Sequence, residues 1–68
     1  MSQTATYTVT GMTCEHCVRS VQEEVGEIAD VSGVQVDLHN GAVTVTSTGP
    51  IDETAVRSAV EAAGYALT

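Results

Sequence analysis

Apolar and polar residues alternate at the start of the chain and then change to a helical spacing. Ala5, Tyr7 and Val9 alternate with threonines, which predicts a half-buried strand that ends at Gly11. The spacing then changes to three and four residues, which predicts an amphipathic helix that frays at Gly26. The apolar stripe of this helix consists of Val18, Val21, Val25 and Ile28.

A hairpin follows, marked by Asn40-Gly41, the favoured pair for a two-residue type I′ turn. A turn at this position fixes the register, with apolar pairs on one face of the hairpin and polar pairs on the other. The predicted cross-strand pairs are His39–Ala42, Leu38–Val43, Asp37–Thr44, Val36–Val45 and Gln35–Thr46.

A second helix is predicted after the hairpin. Asp52 is a good N-cap, Ile51 and Val56 have the spacing of a hydrophobic staple, and Gly64 is placed to end the helix. Its apolar stripe consists of Ala55, Val56, Ala59, Val60 and Ala63. Residues 65–67 remain for a short last strand.

The predicted order is strand, helix, strand, strand, helix, strand. Two β-α-β halves of this kind predict an α+β fold, a split β-α-β sandwich with a four-stranded antiparallel sheet and both helices on one face. In that topology the segment before the first helix, the Asn40-Gly41 turn and the Gly64-Tyr65 connection all lie at one end of the molecule.

The length and the net charge of the chain disfavour several classes of function. The chain has 68 residues, two cationic and nine acidic side chains and a formal net charge of -7, so we expect residues 1–68 to form a single small domain. A domain of this size is not expected to be an elaborate enzyme. Arg19 and Arg57 are its cations, which disfavours binding to nucleic acid or to an anionic membrane and favours a partner with a positive face.

The N-terminal segment and the cysteines indicate a compartment. Met1-Ser2-Gln3-Thr4 has neither the basic nor the apolar region of a signal peptide, and no apolar run reaches the ~18 residues of a spanning helix. We therefore expect a cytoplasmic protein without direct membrane insertion. In a reducing compartment Cys14 and Cys17 are expected to be thiols, so their Cys-x-x-Cys pattern indicates a metal or redox site.

The two cysteines lie at a predicted loop-to-helix junction, where the loop directs Cys14 and the first helical turn directs Cys17. The helix N-terminus stabilises a thiolate, which is the metal-binding form. Structural zinc favours four ligands, whereas this chain has no second cysteine pair and only two histidines. Cu(I) selects thiolates and accepts two of them, and such an open site is suited to passing metal on.

The run Gly11-Met12-Thr13-Cys14-Glu15-His16-Cys17, the element order and the closing Gly64-Tyr65 resemble the heavy-metal-associated domain, which includes bacterial CopZ-type copper chaperones. The resemblance covers essentially the whole chain. It implies a ferredoxin-like βαββαβ fold that binds Cu(I) through Cys14 and Cys17. It also implies metal exchange with the metal-binding domains of a copper-transporting P-type ATPase.

The resemblance assigns supporting positions as well. Met12 matches a methionine that packs beneath the metal loop, and Tyr65 matches an aromatic residue beside the site. We expect Met12 to anchor the core and not to ligate the metal. His16 precedes Cys17 on a helix and therefore points about 100° away from it, so we expect an exposed side chain that tunes the thiolates. Thr13 is expected to be a loop hydroxyl or helix cap.

The remaining polar residues near the motif have ordinary interpretations. His39 is expected to be a surface residue of the hairpin turn, and Glu15 to be surface charge. Many relatives carry lysines near the site, whereas this chain has none. The resemblance therefore leaves open which of two docked surfaces is positive.

Other functions use the same residues. A thiol-disulfide redox protein would use Cys14 and Cys17 as a reversible disulfide. A metal-binding module could carry mercury or zinc, or could be detached from a transporter. Two open dithiol sites can also share copper, which allows a copper-bridged homodimer in the loaded form.

Overall fold

The computed structural model describes residues 2–68. Met1, the first residue of the N-terminal segment interpreted above, lies outside the described residues. The observed order of elements is the predicted one. The elements are β1 (Gln3–Thr10), α1 (Glu15–Gly26), β2 (Val31–Asp37), β3 (Ala42–Ser47), α2 (Glu53–Ala62) and β4 (Ala66–Leu67).

The four strands form one antiparallel sheet in the order β2-β3-β1-β4. On β1 the alternation predicted from the sequence is observed, with Tyr7 and Val9 turned inward and the threonines exposed. The fully buried apolar residues all belong to one cluster between the sheet and the two helices, and all are valines. They are Val9, Val21, Val25, Val43, Val45, Val56 and Val60. This arrangement confirms the predicted α+β sandwich.

The second helix is capped as its sequence predicts. One oxygen of the Asp52 carboxylate accepts hydrogen bonds from the backbone N–H groups of Thr54 and Ala55, at 2.9 and 3.4 Å. At the other end Gly64 has a φ of 96°, and its N–H donates to the Glu61 carbonyl at 2.9 Å. The Tyr65 N–H donates to the Val60 carbonyl at 3.1 Å, which completes a Schellman motif and fixes where Tyr65 leaves the helix.

The first helix ends at Gly26, the position where fraying was expected. Val21 and Val25 are fully buried in its apolar stripe. Ile28 lies beyond the helix end but still packs against the core. Neither helix in residues 2–68 is long and apolar enough to cross a membrane.

The predicted hairpin register is wrong by two residues. The structure pairs Val36 with Val43 and Val34 with Val45, so the connection has four residues, 38–41. Leu38, predicted to face Val43, is instead 36% exposed in this loop. The other predicted pairs, His39–Ala42, Asp37–Thr44, Val36–Val45 and Gln35–Thr46, shift with it.

Hydrogen bonds within the turn explain the difference. A type I′ turn needs a positive φ at both central residues. Within residues 2–68 Asp30 is the only non-glycine residue with a positive φ, so Asn40 does not meet this condition. Its side-chain oxygen instead accepts from the Ala42 N–H, and Asp37 accepts from the N–H groups of His39 and Gly41. These bonds stabilise the longer turn.

Candidate metal centre

The segment between β1 and α1 carries the cysteine motif and is held against the start of β4. Gly11 has a φ of 96°, a conformation that glycine adopts without strain. A Cβ atom at this position would lie 3.1 Å from Cδ1 of Tyr65. The absence of a side chain on Gly11 therefore lets the Tyr65 ring approach the loop closely. The Gly64-Tyr65 connection thus lies at the cysteine end, as the topology predicted.

The two thiols converge at the start of α1. Cys14 is the N-cap in an extended conformation, and its carbonyl accepts from the N–H groups of Cys17 and Val18 at 3.0 and 3.3 Å. The two Sγ atoms lie 3.5 Å apart. Cys14 is exposed and Cys17 is half-buried. Cys14 is therefore the more accessible of the two cysteines to an incoming molecule.

Loop groups favour the thiolate form of Cys17 and lower its pKa to about 6. The largest cause is the Thr13 backbone, followed by the Tyr65 hydroxyl and then by groups of Cys14, while desolvation opposes them. Helix position was expected to act on Cys17, whereas the leading contribution comes from the loop amide. The Cys17 thiolate is therefore well populated at neutral pH.

The hydroxyl of Tyr65 interacts with the same sulfur. Its interaction with Cys17 is the largest cause of a raised pKa of Tyr65, with desolvation and the negative charge of the two sulfurs adding to it. Within the described residues the hydrogen-bond contacts of Cys17 Sγ are with Cys14 Sγ at 3.5 Å and Thr13 Oγ1 at 3.9 Å. The Tyr65 hydroxyl thus acts on the thiolate without a well-formed hydrogen bond.

The other residues named from the sequence divide into two groups. Thr13 and Tyr65 lie at the dithiol, and Met12 is half-buried against the core cluster. His16 is exposed on α1 and His39 is exposed in the hairpin loop, and in the described part of the chain neither side chain hydrogen-bonds to a sulfur. Glu15, the first residue of α1, is also exposed.

The donor set at this centre is the sulfur pair itself. No group of three or more His, Cys, Asp or Glu side chains in residues 2–68 is arranged to hold a metal ion. An ion at about 2.3 Å from both sulfurs, the usual zinc–thiolate length, would make an S–metal–S angle of about 100° at the observed separation. Such an ion would be open on its outer side. A linear two-sulfur geometry would need the Sγ atoms to separate by roughly 1 Å more.

Two structural features of the site were not predicted from the sequence. The close approach of Gly11 to Tyr65 and the direction of the Thr13 amide both depend on the loop backbone. A glycine between a predicted strand and the first cysteine was the available signal for the first. No residue pattern in the sequence indicates the direction in which the single amide of Thr13 points.

The chain is similar in sequence to a known protein family and to several known proteins. The model of the heavy-metal-associated domain matches residues 6–66. A COP-associated protein of Helicobacter felis is 42% identical over 59 residues, which cover 87% of this chain and 89% of that protein. The copper chaperone CopZ of Bacillus subtilis is 39% identical over 61 residues, covering 88% of each.

A solved structure of a CopZ metallochaperone superimposes with a TM-score of 0.91 at 28% sequence identity, covering 97% of this chain and 100% of that one. This similarity confirms the ferredoxin-like fold. A copper-transporting ATPase of Rhizobium meliloti is 40% identical over 58 residues, which cover 85% of this chain but only 7% of that protein. The same kind of module thus occurs within a much longer protein.

Proposed function

The chain belongs to the heavy-metal-associated domain family, and from this membership we propose that it is a Cu(I) chaperone that carries copper on Cys14 and Cys17. The observation that supports the proposal most strongly is the pair of Sγ atoms 3.5 Å apart, one exposed and one half-buried. Two thiolates form a soft donor set, which suits Cu(I).

Copper is the cargo in this proposal, and its transfer is an exchange of sulfur ligands. Cys17 supplies a thiolate near neutral pH, because the Thr13 amide and the Tyr65 hydroxyl lower its pKa. A thiolate of the partner adds to the ion from the exposed side, next to Cys14, and a sulfur of this chain then leaves. The oxidation state of the ion does not change. The protein is therefore a carrier and not an enzyme.

We propose the metal-binding domains of a copper-transporting P-type ATPase as the partner, and the cytoplasm as the compartment. A segment of such an ATPase is 40% identical over 85% of this chain, so two related modules could approach end to end. The acceptor is expected to carry a basic surface because this chain as a whole has a net charge of -7. Transfer should then slow as salt rises, since screening limits charge steering to about 8 Å at ~0.15 M.

Residues 1–68 act in this proposal as a single domain, with Thr13, Met12, His16 and Tyr65 supporting the two ligands. Met12 packs against the core cluster, and the Tyr65 ring lies against Gly11 of the loop. His16 is exposed one position before Cys17 and acts on the protonation of the thiolates without ligating the ion. In the loaded form two open sites can share copper in a bridged homodimer.

A second candidate is a thiol-disulfide redox protein. The short Sγ–Sγ distance and the lowered pKa of Cys17 both favour it, because a thiolate beside a second thiol is the reactive arrangement for disulfide exchange. It predicts repeated oxidation and reduction with a dithiol reductant in metal-free solution. Metal binding without such turnover would exclude it.

Native mass spectrometry of the reduced protein, with and without Cu(I), tests the proposal and reports stoichiometry and dimerisation together. We expect copper-loaded species that disappear in the Cys14→Ala, Cys17→Ala variant. Parallel samples with Zn(II) and Hg(II) test the alternative cargoes. Preferential retention of either ion in competition with Cu(I) would replace copper as the proposed cargo.

A further inference from the structure

We propose that the end of the molecule opposite the cysteines is a second docking surface, which takes up a lysine- or arginine-rich segment of a partner protein. The surface is formed by the end of α1, the loop from α1 to β2, the loop from β3 to α2 and the start of α2. It is called the acidic pole below. This inference does not depend on metal binding.

A cavity of about 210 Å³ lies at the centre of the acidic pole. Ile28, Pro50 and Ile51 line it with aliphatic groups, and Asp30 and Asp52 are also among its lining residues. The Thr48 N–H donates to the Asp30 carbonyl at 2.8 Å, which holds the two loops together around the cavity. The pocket is therefore lined by both aliphatic and acidic residues.

Negative charge is concentrated at this end of the molecule. Six of the nine acidic residues lie there, namely Glu23, Glu24, Glu27, Asp30, Asp52 and Glu53. Arg57 pairs with Glu53 at 3.3 Å, and this is the only ion pair in residues 2–68. The other five carboxylates therefore have no cationic partner within the described chain. The acidic pole carries most of the net charge of the protein.

The carboxylates of α1 occupy positions that the helix itself disfavours. A helix C-terminus is the negative end of the helix dipole and is stabilised by cations. The last turn of α1 has no basic residue, and Glu27 is its C-cap. The charge is thus placed against the preference of the helix and without an internal counter-ion. A cationic partner would offset the unfavourable interaction with the helix dipole and would supply the missing counter-ion.

The chemistry of the pocket favours a basic side chain as its occupant. Lysine and arginine place an aliphatic stem along apolar surface while the charged end reaches polar groups. The stem would lie on Ile28 and Ile51, and the cation would meet Asp30. Glu27, which precedes Ile28 in the chain, adds negative charge to the acidic pole. A bound metal ion is not supported, because the described residues contain no group of three or more acidic, histidine or cysteine side chains suited to one.

An NMR titration of the reduced, metal-free protein with a capped hexalysine peptide tests the proposal. At ~0.15 M salt we expect the largest shift changes at the backbone amides of Ile28, Ala29 and Ile51, and small changes in residues 11–17. Changes centred on residues 11–17, or no binding at this salt concentration, would overturn the proposal.

Paired charge variants separate docking from general attraction. Glu27→Gln with Asp30→Asn should raise the dissociation constant by about 2- to 30-fold, as expected for the loss of two exposed ion pairs. Asparagine tolerates the positive φ at position 30, so the loop is retained. The control Glu15→Gln with Glu61→Gln removes the same charge from the cysteine end and should change the constant by less than about 2-fold. Equal weakening by both pairs would contradict a specific site.

A variant with unchanged charge tests the aliphatic lining of the cavity. Ala55 lines the cavity on α2, and Ala55→Leu would fill it with a residue that favours helix. Weaker hexalysine binding by this variant supports the pocket. Unchanged binding by a folded Ala55→Leu protein would contradict a role of the cavity in binding. If this variant does not fold, the two pairs of charge variants described above test the docking surface instead.

Discussion

The ring of Tyr65 lies directly against Gly11, with Cδ1 of the ring 3.1 Å from the position that a Cβ atom on Gly11 would occupy. This contact joins the start of β4 to the loop that carries Cys14. It also brings the Tyr65 hydroxyl to the sulfur of Cys17, where it helps to lower the thiol pKa. The conformation of one glycine therefore affects the chemistry of the dithiol.

Replacing Gly11 by alanine should destabilise the protein by about 1–3 kcal/mol, because the positive φ becomes strained and the new methyl group crowds the Tyr65 ring. Urea unfolding measures this change. Gly26→Ala is the matched control, because a Cβ atom there meets nothing within 4 Å and φ is not positive. The control should be stabilised by about 0.5–1 kcal/mol. Equal effects at both glycines would contradict the assigned role of Gly11.

Removal of the Tyr65 hydroxyl should raise the pKa of Cys17 above about 6, towards its ordinary value of 9.0. Phenylalanine keeps the ring on Gly11 but lacks the hydroxyl that favours the thiolate. The pH dependence of iodoacetamide alkylation, followed at Cys17 by peptide mass spectrometry, measures the shift for Tyr65→Phe. The control Tyr7→Phe changes the other tyrosine of the chain. A Cys17 pKa that is unaltered in Tyr65→Phe would show that the hydroxyl does not act on the sulfur.

The stability of the metal-free, reduced protein should depend on pH through Cys17. Its pKa is lower in the folded protein than in the unfolded chain, so between about 6 and 9 the unfolded chain binds more protons. The free energy of unfolding should therefore rise with pH across this window and lose that contribution as pH falls through about 6. Denaturation of the wild type and of Cys17→Ser at several pH values measures the difference. Identical slopes would contradict the lowered pKa.

The observed hairpin register predicts unequal effects of two truncations. Leu38 is 36% exposed, so Leu38→Ala should cost at most about 0.5 kcal/mol. Val43 is fully buried, and Val43→Ala should cost about 2–3 kcal/mol through lost burial and a residual cavity. Denaturant unfolding measures both. A large loss for Leu38→Ala would instead favour the two-residue turn, in which Leu38 faces Val43.

The fold was predictable where local signals agreed with burial. Asp52 and Gly64 mark the two ends of α2, and alternation on β1 separates valine from threonine, so both elements followed from the sequence. The hairpin register did not, because a shift by two residues leaves the same face inward and burial cannot distinguish the two pairings. The side chains of Asp37 and Asn40 favour the observed pairing, through their hydrogen bonds within the longer turn.

The candidate site was predictable in position but not in its electrostatic detail. The spacing of Cys14 and Cys17 and the topology that returns Tyr65 to the same end indicated which groups meet. The causes of the lowered Cys17 pKa depend on where the Thr13 amide points, which is a property of the folded loop. The acidic pole likewise depends on which carboxylates the two loops bring to one pocket.

Anaerobic titration of the reduced protein with Cu(I), in competition with a chelator of known affinity, tests whether Cys14 and Cys17 bind Cu(I). We expect the wild type to remove Cu(I) from the chelator and the Cys14→Ala, Cys17→Ala variant not to, because residues 2–68 contain no group of three or more His, Cys, Asp or Glu side chains that could hold the ion instead. Far-UV circular dichroism confirms that the variant is folded. Unchanged Cu(I) binding by the folded double variant would contradict the assignment of the site.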